Sequence, residues 1–219
     1  MRTASYAPPV ADSAPLSAPS AAFDRFAGLC GLLTAGGGFL YAVAFIIVSR
    51  GNPPLGALLS GLFLLLFGLT STAALTAVYE HLRDLAGPFA LWAFLLALVG
   101  GLGAAIHGGY DLAVALHPPA APNVDLPSEI DPRGLLTFGV GGVGLLALSA
   151  LIARQARWPR GLAYLGYASA VLLLVLYLGR LIILDPTSPI IVVPALLNGF
   201  ILGPAWYLWL GLVLWRARA

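Results

Sequence analysis

Two charged side chains within apolar segments are the residues of this sequence whose chemistry stands out. Asp111 lies in the third apolar stretch and Arg180 in the fifth. A charge in the hydrocarbon of a bilayer costs about 2.5–3.5 kcal/mol on insertion scales, so such residues mark functional or firmly paired positions. Each lies about one and a half helical turns before the end of its stretch, roughly 7–9 Å below the same membrane surface. An ion pair between them is therefore geometrically possible.

A histidine adds proton chemistry to the aspartate. His107 precedes Asp111 by four residues, which places both side chains on one helix face. An imidazole beside a carboxylate can exchange protons near neutral pH. Polar residues at similar depth complete a predicted ligand or proton site that opens outward: His107, Asp111, Tyr177, Arg180 and Asn198, with Tyr41 and Thr137 nearby.

A structural interpretation of the same residues stands beside the functional one. The Arg180 guanidinium could reach the outer headgroups, because long basic side chains near helix ends extend to the interface. Asp111 could neutralise Arg180 and lock two helices together. The glycine runs 36–38 and 139–144 lie within apolar stretches, so they indicate close helix packing rather than phosphate binding.

Composition assigns the chain to the membrane class. Hydrophobic residues make up 60% and charged residues 9%, against roughly 25% charged residues in soluble domains. All eleven basic residues are arginine, which excludes a lysine Schiff base to retinal or pyridoxal phosphate. The single cysteine, Cys30, excludes an intramolecular disulfide and Cys-based metal sites. No basic run favours nucleic acid, and the expected partners are the lipid bilayer, other membrane subunits or a second copy of the chain.

The apolar stretches predict an all-α, polytopic transmembrane bundle with six spans. Residues 1–23 are rich in Ala, Pro and Ser, which is typical of a flexible cytoplasmic tail. Residues 24–219 form the predicted membrane domain. Each stretch reaches the ~20 residues that a spanning helix needs, and Asn52-Pro53 is one of several helix-start signals. The predicted spans are approximately 26–49, 55–79, 88–116, 134–153, 161–184 and 190–214.

Arginine placement predicts the orientation. With both termini in the cytoplasm, eight arginines fall inside and two outside, in keeping with the positive-inside rule. The charged residues 80–84, including His81, are expected to form a solvated cytoplasmic turn. Trp158, Trp209 and Trp215 are predicted to lie in an interfacial aromatic belt at the cytoplasmic side.

The second half of the chain resembles a group of bacterial proteins. Residues 157–166 (RWPRGLAYLG) and 203–211 (GPAWYLWLG) are similar to stretches in small multi-helix bacterial membrane proteins of unassigned function. The resemblance covers residues 134–216. It implies a helical bundle of four to seven spans in the bacterial inner membrane, and it carries no catalytic residues.

Three functions remain open at this stage. The first is a small-solute, ion or proton-linked binding or transport protein. The second is a non-catalytic membrane subunit or scaffold, and the third an intramembrane enzyme or a lipid- or quinone-binding redox component. No zinc-protease motif, nucleophile elbow or second intramembrane aspartate is present. We therefore rank an enzyme below the other two functions, and we expect no bound metal or cofactor.

Overall fold

Five helices account for most of the described chain. The computed structural model describes residues 21–118, 132–183, 185 and 187–216. The helices are α1 (Ala21–Gly51), α2 (Pro53–Leu116), α3 (Pro132–Arg154), α4 (Arg160–Ile182) and α5 (Pro189–Arg216). Most of the predicted tail and residues 119–131, between the third and fourth predicted spans, lie outside the described residues. The predicted all-helical fold is confirmed for the part that is described.

All five helices are long and apolar enough to cross a membrane. Their ends lie within a few residues of the predicted boundaries. One difference concerns the start of α1, which begins at Ala21 and thus includes the last residues assigned to the tail. Phe23 explains the shift, because its ring contacts Phe26 at a centroid distance of 6.1 Å and packs against the core.

Helix α2 contains two of the predicted spans, joined by a kink. It has 64 residues, and Ala86 interrupts it with the extended dihedrals φ −159° and ψ 54°. Pro88 follows, and proline both lacks an N–H donor and disfavours the helical conformation of the preceding residue. The two halves, 53–85 and 87–116, fold back on each other. A Cβ built at Gly61 would lie 2.6 Å from the backbone nitrogen of Leu112. The two halves of α2 therefore pack so closely that a glycine is needed at this contact.

The start of α2 follows the predicted helix-capping chemistry. The backbone N–H of Leu55 donates to Oδ1 of Asn52 over 3.2 Å, and Pro53 occupies the first helical position. Neighbouring helices then run antiparallel and meet at small residues. Gly100 of α2 faces Gly141 of α3, and a Cβ at Gly100 would lie 2.6 Å from the Gly141 Cα. The prediction that this face of α2 points into the bundle is therefore confirmed.

The antiparallel order gives the bundle two unlike ends. One, here called the arginine-rich end, carries Arg25, Arg83, Arg154, Arg157, Arg160 and Arg216. The main apolar core lies toward it and includes Leu82, Leu148, Ile152 and Leu214, each at most 1% exposed. The opposite end, formed by residues around 45–56, 107–118, 132–137, 178–183 and 187–192, surrounds a cavity.

Trp158 is part of the core rather than of an aromatic belt. Its exposed fraction is 7%, whereas Trp209 and Trp215 are 38% and 49% exposed. The turn between α3 and α4 folds back over the end of the bundle, with the backbone N–H of Trp158 donating to the Gln155 carbonyl over 3.1 Å. The Trp158 indole therefore packs inside the bundle instead of facing lipid headgroups, because this turn carries it inward.

Candidate functional site

A cavity of about 610 Å³ extends from the opposite end into the middle of the bundle. All five helices contribute to its wall. The apolar part of the wall includes Phe67, Leu75, Leu145, Leu173 and Trp206. The polar and charged part includes Tyr41, Arg50, His107, Asp111, Thr137, Ser169, Arg180, Asn198 and Tyr207. Four of the five residues predicted for the site thus line one cavity.

The predicted histidine and aspartate meet at the wall of this cavity. Nε2 of His107 lies 3.4 Å from Oδ2 of Asp111, and the side chains are 29% and 42% exposed. Helix α3 supports the imidazole from the other side, since a Cβ built at Gly134 would lie 3.0 Å from Cε1 of His107. The pair is therefore held at a defined position and remains accessible to a solute or to water.

Asp111 and Arg180 share the cavity without forming a direct ion pair. Among the described residues, no carboxylate oxygen lies within 4.0 Å of the Arg180 guanidinium. Tyr41 of α1 lies within electrostatic range of both charges. The two helices that carry Asp111 and Arg180 are therefore not locked by a bridge between these groups, and Arg180 and Tyr41 line the same cavity.

Asn198 and Ser169 join α5 to α4 at the cavity wall. The Ser169 hydroxyl donates to Oδ1 of Asn198 over 2.6 Å. Asn198 begins the π-helical turn Asn198–Leu202, and Pro204 explains this turn because it has no N–H to continue the regular ladder. A second π-helical turn, Val43–Val48, lies in α1 beside the same cavity. Such turns occur often at functional sites.

Tyr177 lies outside the cavity wall. Its ring packs against α3 at Gly139, where an added Cβ would lie 2.6 Å from the Tyr177 Cδ1. The cavity face of α4 instead runs through Ser169, Leu173, Leu176 and Arg180. Tyr177 neighbours this stripe on the helix surface, and its contact with a glycine of α3 directs it between the helices.

Sequence reasoning missed Arg50 as a cavity residue. Arg50 directly follows the predicted first span, 26–49, and it was not among the predicted site residues. It lies in the last turn of α1, two residues before the cap Asn52, and it lines the cavity with Arg180 although its side chain is exposed.

A buried polar cluster at the arginine-rich end was also missed. It consists of Asp24, His81, Gln155 and Trp158. Nε2 of His81 lies 3.2 Å from Oδ1 of Asp24, with side-chain exposures of 18% and 2%. Gln155 donates to the His81 carbonyl over 3.3 Å, and the Trp158 ring meets the imidazole edge-on at 5.9 Å. The predicted solvated turn at His81 is therefore wrong, because α1 and the α3–α4 turn cover it.

The turn between α4 and α5 adds an exposed carboxylate at the opposite end. The backbone N–H and the hydroxyl of Thr187 both donate to Oδ1 of Asp185, over 2.8 and 2.7 Å. These hydrogen bonds favour the ionised form and lower the pKa of Asp185 below its ordinary value. Asp185 therefore stays negative at neutral pH.

Metal-ligand geometry and comparisons with known proteins assign no activity to this site. Within residues 21–118, 132–183, 185 and 187–216, no group of three His, Cys, Asp or Glu side chains could hold a metal ion. Comparison with protein-family models, curated proteins and solved structures found no match for the chain. The function must therefore be argued from the cavity and its charged residues.

Proposed function

We propose that the chain crosses the bacterial inner membrane six times, with both termini in the cytoplasm. A straight helix of 64 residues would be roughly 96 Å long, about three times the thickness of the hydrocarbon core. The kink at Ala86 and the antiparallel halves of α2 favour two crossings by this helix. The arginine-rich end is then cytoplasmic by the positive-inside rule, and the cavity opens outward.

Labelling with a membrane-impermeant maleimide tests this orientation. In a Cys30→Ser background, Arg160→Cys is placed at the arginine-rich end and Thr187→Cys at the opposite end. On intact cells we expect labelling of Thr187→Cys alone, and labelling of Arg160→Cys only after the inner face is opened. The reverse pattern would overturn the orientation, and labelling of both on intact cells would overturn the span count.

Within this topology, we infer that the protein is a small-solute, ion or proton-linked binding or transport protein. The observation that carries this conclusion is the cavity of about 610 Å³, which brings charged residues from α1, α2 and α4 together within an apolar bundle. This volume lies in the usual range of about 300–1,000 Å³ for ligand pockets. Charged residues at membrane depth are costly unless they serve a pathway or a site.

The residues of the cavity suggest a division of roles. Arg180 holds an anionic group, because it lines the cavity and no carboxylate of the described chain lies within 4.0 Å of its guanidinium. His107 and Asp111 exchange a proton with solute or water, since they are adjacent and partly exposed. The hydrogen-bonded side chains of Asn198 and Ser169 place polar groups in the middle of the cavity. Tyr177 has a packing role in this scheme.

Proteoliposomes with trapped pyranine provide the test of function. Succinate, putrescine and glucose are added outside in turn, and the internal pH and the uptake of radiolabelled solute are followed. We expect at least one solute to enter, and Asp111→Asn and Arg180→Gln each to reduce its initial rate at least roughly tenfold. Arg160→Gln, the same change at the other end, serves as the matched control.

Two results would count against the proposal. Equal uptake by the wild type and both cavity variants would show that the charged residues do not serve the solute. Absence of uptake and of solute binding across all three charge classes would favour a non-catalytic subunit or scaffold instead. In that case we expect a partner protein to co-purify in mild detergent.

A further inference from the structure

The cavity is long, narrow and different at its two ends. Asp111 and Ala97 both line it and are fourteen residues apart on α2, which corresponds to roughly 20 Å along the helix. The cavity volume of about 610 Å³ is spread over this length. An elongated ligand therefore fits this space better than a compact one.

Two arginines and one aspartate of the described residues line the mouth of the cavity. Arg50 is exposed at the end of α1, and no carboxylate oxygen of the described residues lies within 4.0 Å of its guanidinium or of that of Arg180. The aspartate is Asp111, which has His107 at 3.4 Å. Two guanidinium groups that line one cavity favour an oxyanion, which they can bind through charge-assisted hydrogen bonds.

Beyond the mouth the wall becomes mostly apolar. Asn198 and Ser169 are joined at 2.6 Å, and the described wall further in includes Leu75, Ala97 and Leu145. The aromatic side chains of Trp206 and Tyr207 line the same inner part, and each carries one polar atom. A hydrophilic anion would occupy the mouth and leave this inner space unfilled. An apolar chain would fill it and remove apolar surface from water.

From this arrangement, which rests on the proposed solute-binding function, we propose that the ligand is an anionic amphiphile that places one apolar chain in the cavity. Its carboxylate or phosphate head binds Arg50 and Arg180, and its chain extends past Asn198 toward Trp206. The same chemistry is available from a free fatty acid or alkyl phosphate and from an anionic phospholipid of the surrounding bilayer. The polar pair Ser169–Asn198 lies beside the upper part of the chain.

Photo-crosslinking in nanodiscs tests the proposal directly. The full-length protein is placed in phosphatidylcholine discs with dodecanoate that carries a diazirine on its terminal carbon, and crosslinked peptides are mapped by mass spectrometry. We expect labelling around Leu75, Leu145 and Trp206. Dodecyl phosphate should compete at roughly tenfold lower concentration than dodecanol or dodecyltrimethylammonium, because only the anion gains the charge-assisted contacts.

Matched arginine variants locate the head group. Arg50→Gln and Arg180→Gln should each weaken dodecanoate binding roughly tenfold, and Arg160→Gln at the arginine-rich end should leave it unchanged. Arg180→Lys keeps the charge and should retain more affinity than Arg180→Gln. Size-exclusion chromatography and thermal unfolding of each variant separate a lost contact from a lost fold, and a variant that does not fold is replaced by its lysine counterpart.

The outcomes separate the ligand class from the proposed function. If dodecanol or dodecyltrimethylammonium competes as well as dodecyl phosphate, the anionic amphiphile is overturned while solute binding stands. If no diazirine label reaches the cavity residues and no solute enters proteoliposomes, both proposals fail. Phosphatidylglycerol added to the discs distinguishes the two sources: competition with dodecanoate identifies a bilayer lipid, and unchanged labelling identifies a free amphiphile. Either result with the expected arginine dependence supports the proposal.

Discussion

The two ends of the bundle each contain a histidine beside an aspartate, in opposite surroundings. At the arginine-rich end, Asp24 and His81 are 3.2 Å apart with side chains 2% and 18% exposed. At the opposite end, His107 and Asp111 are 3.4 Å apart with side chains 29% and 42% exposed. The residue types and distances are nearly the same, so the surroundings decide what each pair can do.

The buried pair connects distant parts of the chain. Asp24 in the first turn of α1 meets His81, 57 positions later, and Gln155 and Trp158 complete the cluster. Oδ2 of Asp24 is buried without a hydrogen-bond partner among the described residues. A carboxylate in this position depends strongly on its one imidazole partner, because an unsatisfied buried polar group is costly. This pair is suited to hold helices together.

The pair at the cavity is local and accessible. His107 and Asp111 are four residues apart on one helix, so their contact does not hold two helices together. Their side chains line a space large enough for a ligand. A histidine next to an aspartate therefore does not by itself indicate a functional site in a membrane bundle. The pair at the cavity differs from the buried pair in its access to a space that can hold a ligand.

The largest expected difference between the pairs is in stability. Asp24→Ala should lower the free energy of unfolding by about 1–3 kcal/mol, because it leaves the buried side of His81 without a partner. In a double-mutant cycle with His81→Ala, we expect a coupling of about 1 kcal/mol or more. SDS titrations of the protein in dodecyl maltoside, followed by near-ultraviolet circular dichroism, provide the measurement.

The matched cycle at the cavity should give a smaller coupling. For His107→Ala and Asp111→Ala we expect about 0.3–0.5 kcal/mol, the value for exposed pairs at this helical spacing. Equal couplings at the two ends would remove the distinction between a structural and an accessible pair. A larger coupling at the cavity would reverse it.

A smaller effect is expected from moving the cavity imidazole without changing any charge. Gly134→Ala places a methyl group 3.0 Å from Cε1 of His107, so the ring must shift by a few tenths of an ångström. We expect the initial rate of solute-linked proton flux to fall by roughly two- to fivefold, since catalytic and binding geometry tolerates little displacement. Pyranine fluorescence in proteoliposomes measures the rate.

Gly36→Ala is the control for this change. It adds the same methyl group within α1, where no heavy atom lies within 4 Å of the built Cβ. Flux should stay at the wild-type rate. A loss in Gly36→Ala equal to that in Gly134→Ala would show that the effect is not specific to His107.

The helices were predictable because hydropathy and helix-start chemistry act locally. The Asn52 cap forms as predicted, and helix ends agree within a few residues. The small-residue face at Gly100 was predictable from spacing alone, since close helix approach requires the absence of a side chain. Such features depend on residues within a few turns of one another.

The composition of the site was less predictable, because helix rotation and cross-helix contacts decide it. His107, Asp111, Arg180 and Asn198 line the cavity, whereas Tyr177 packs on Gly139. Tyr177 and Leu176 are both almost one turn from Arg180, and periodicity cannot choose between them. The contact with Gly139 of α3 places Tyr177 between the helices, and Leu176 lines the cavity.

The sequence by itself determined that this chain forms apolar helices with two charges at matching depth, because hydropathy, spacing and caps are properties of neighbouring residues. Only the tertiary structure decided which charges meet. It buried His81 with Asp24, placed Arg50 beside the cavity, and kept Asp111 and Arg180 from a direct bridge. The physical reason is that contacts between helices depend on how close their backbones approach, and small residues far apart in the sequence set that distance.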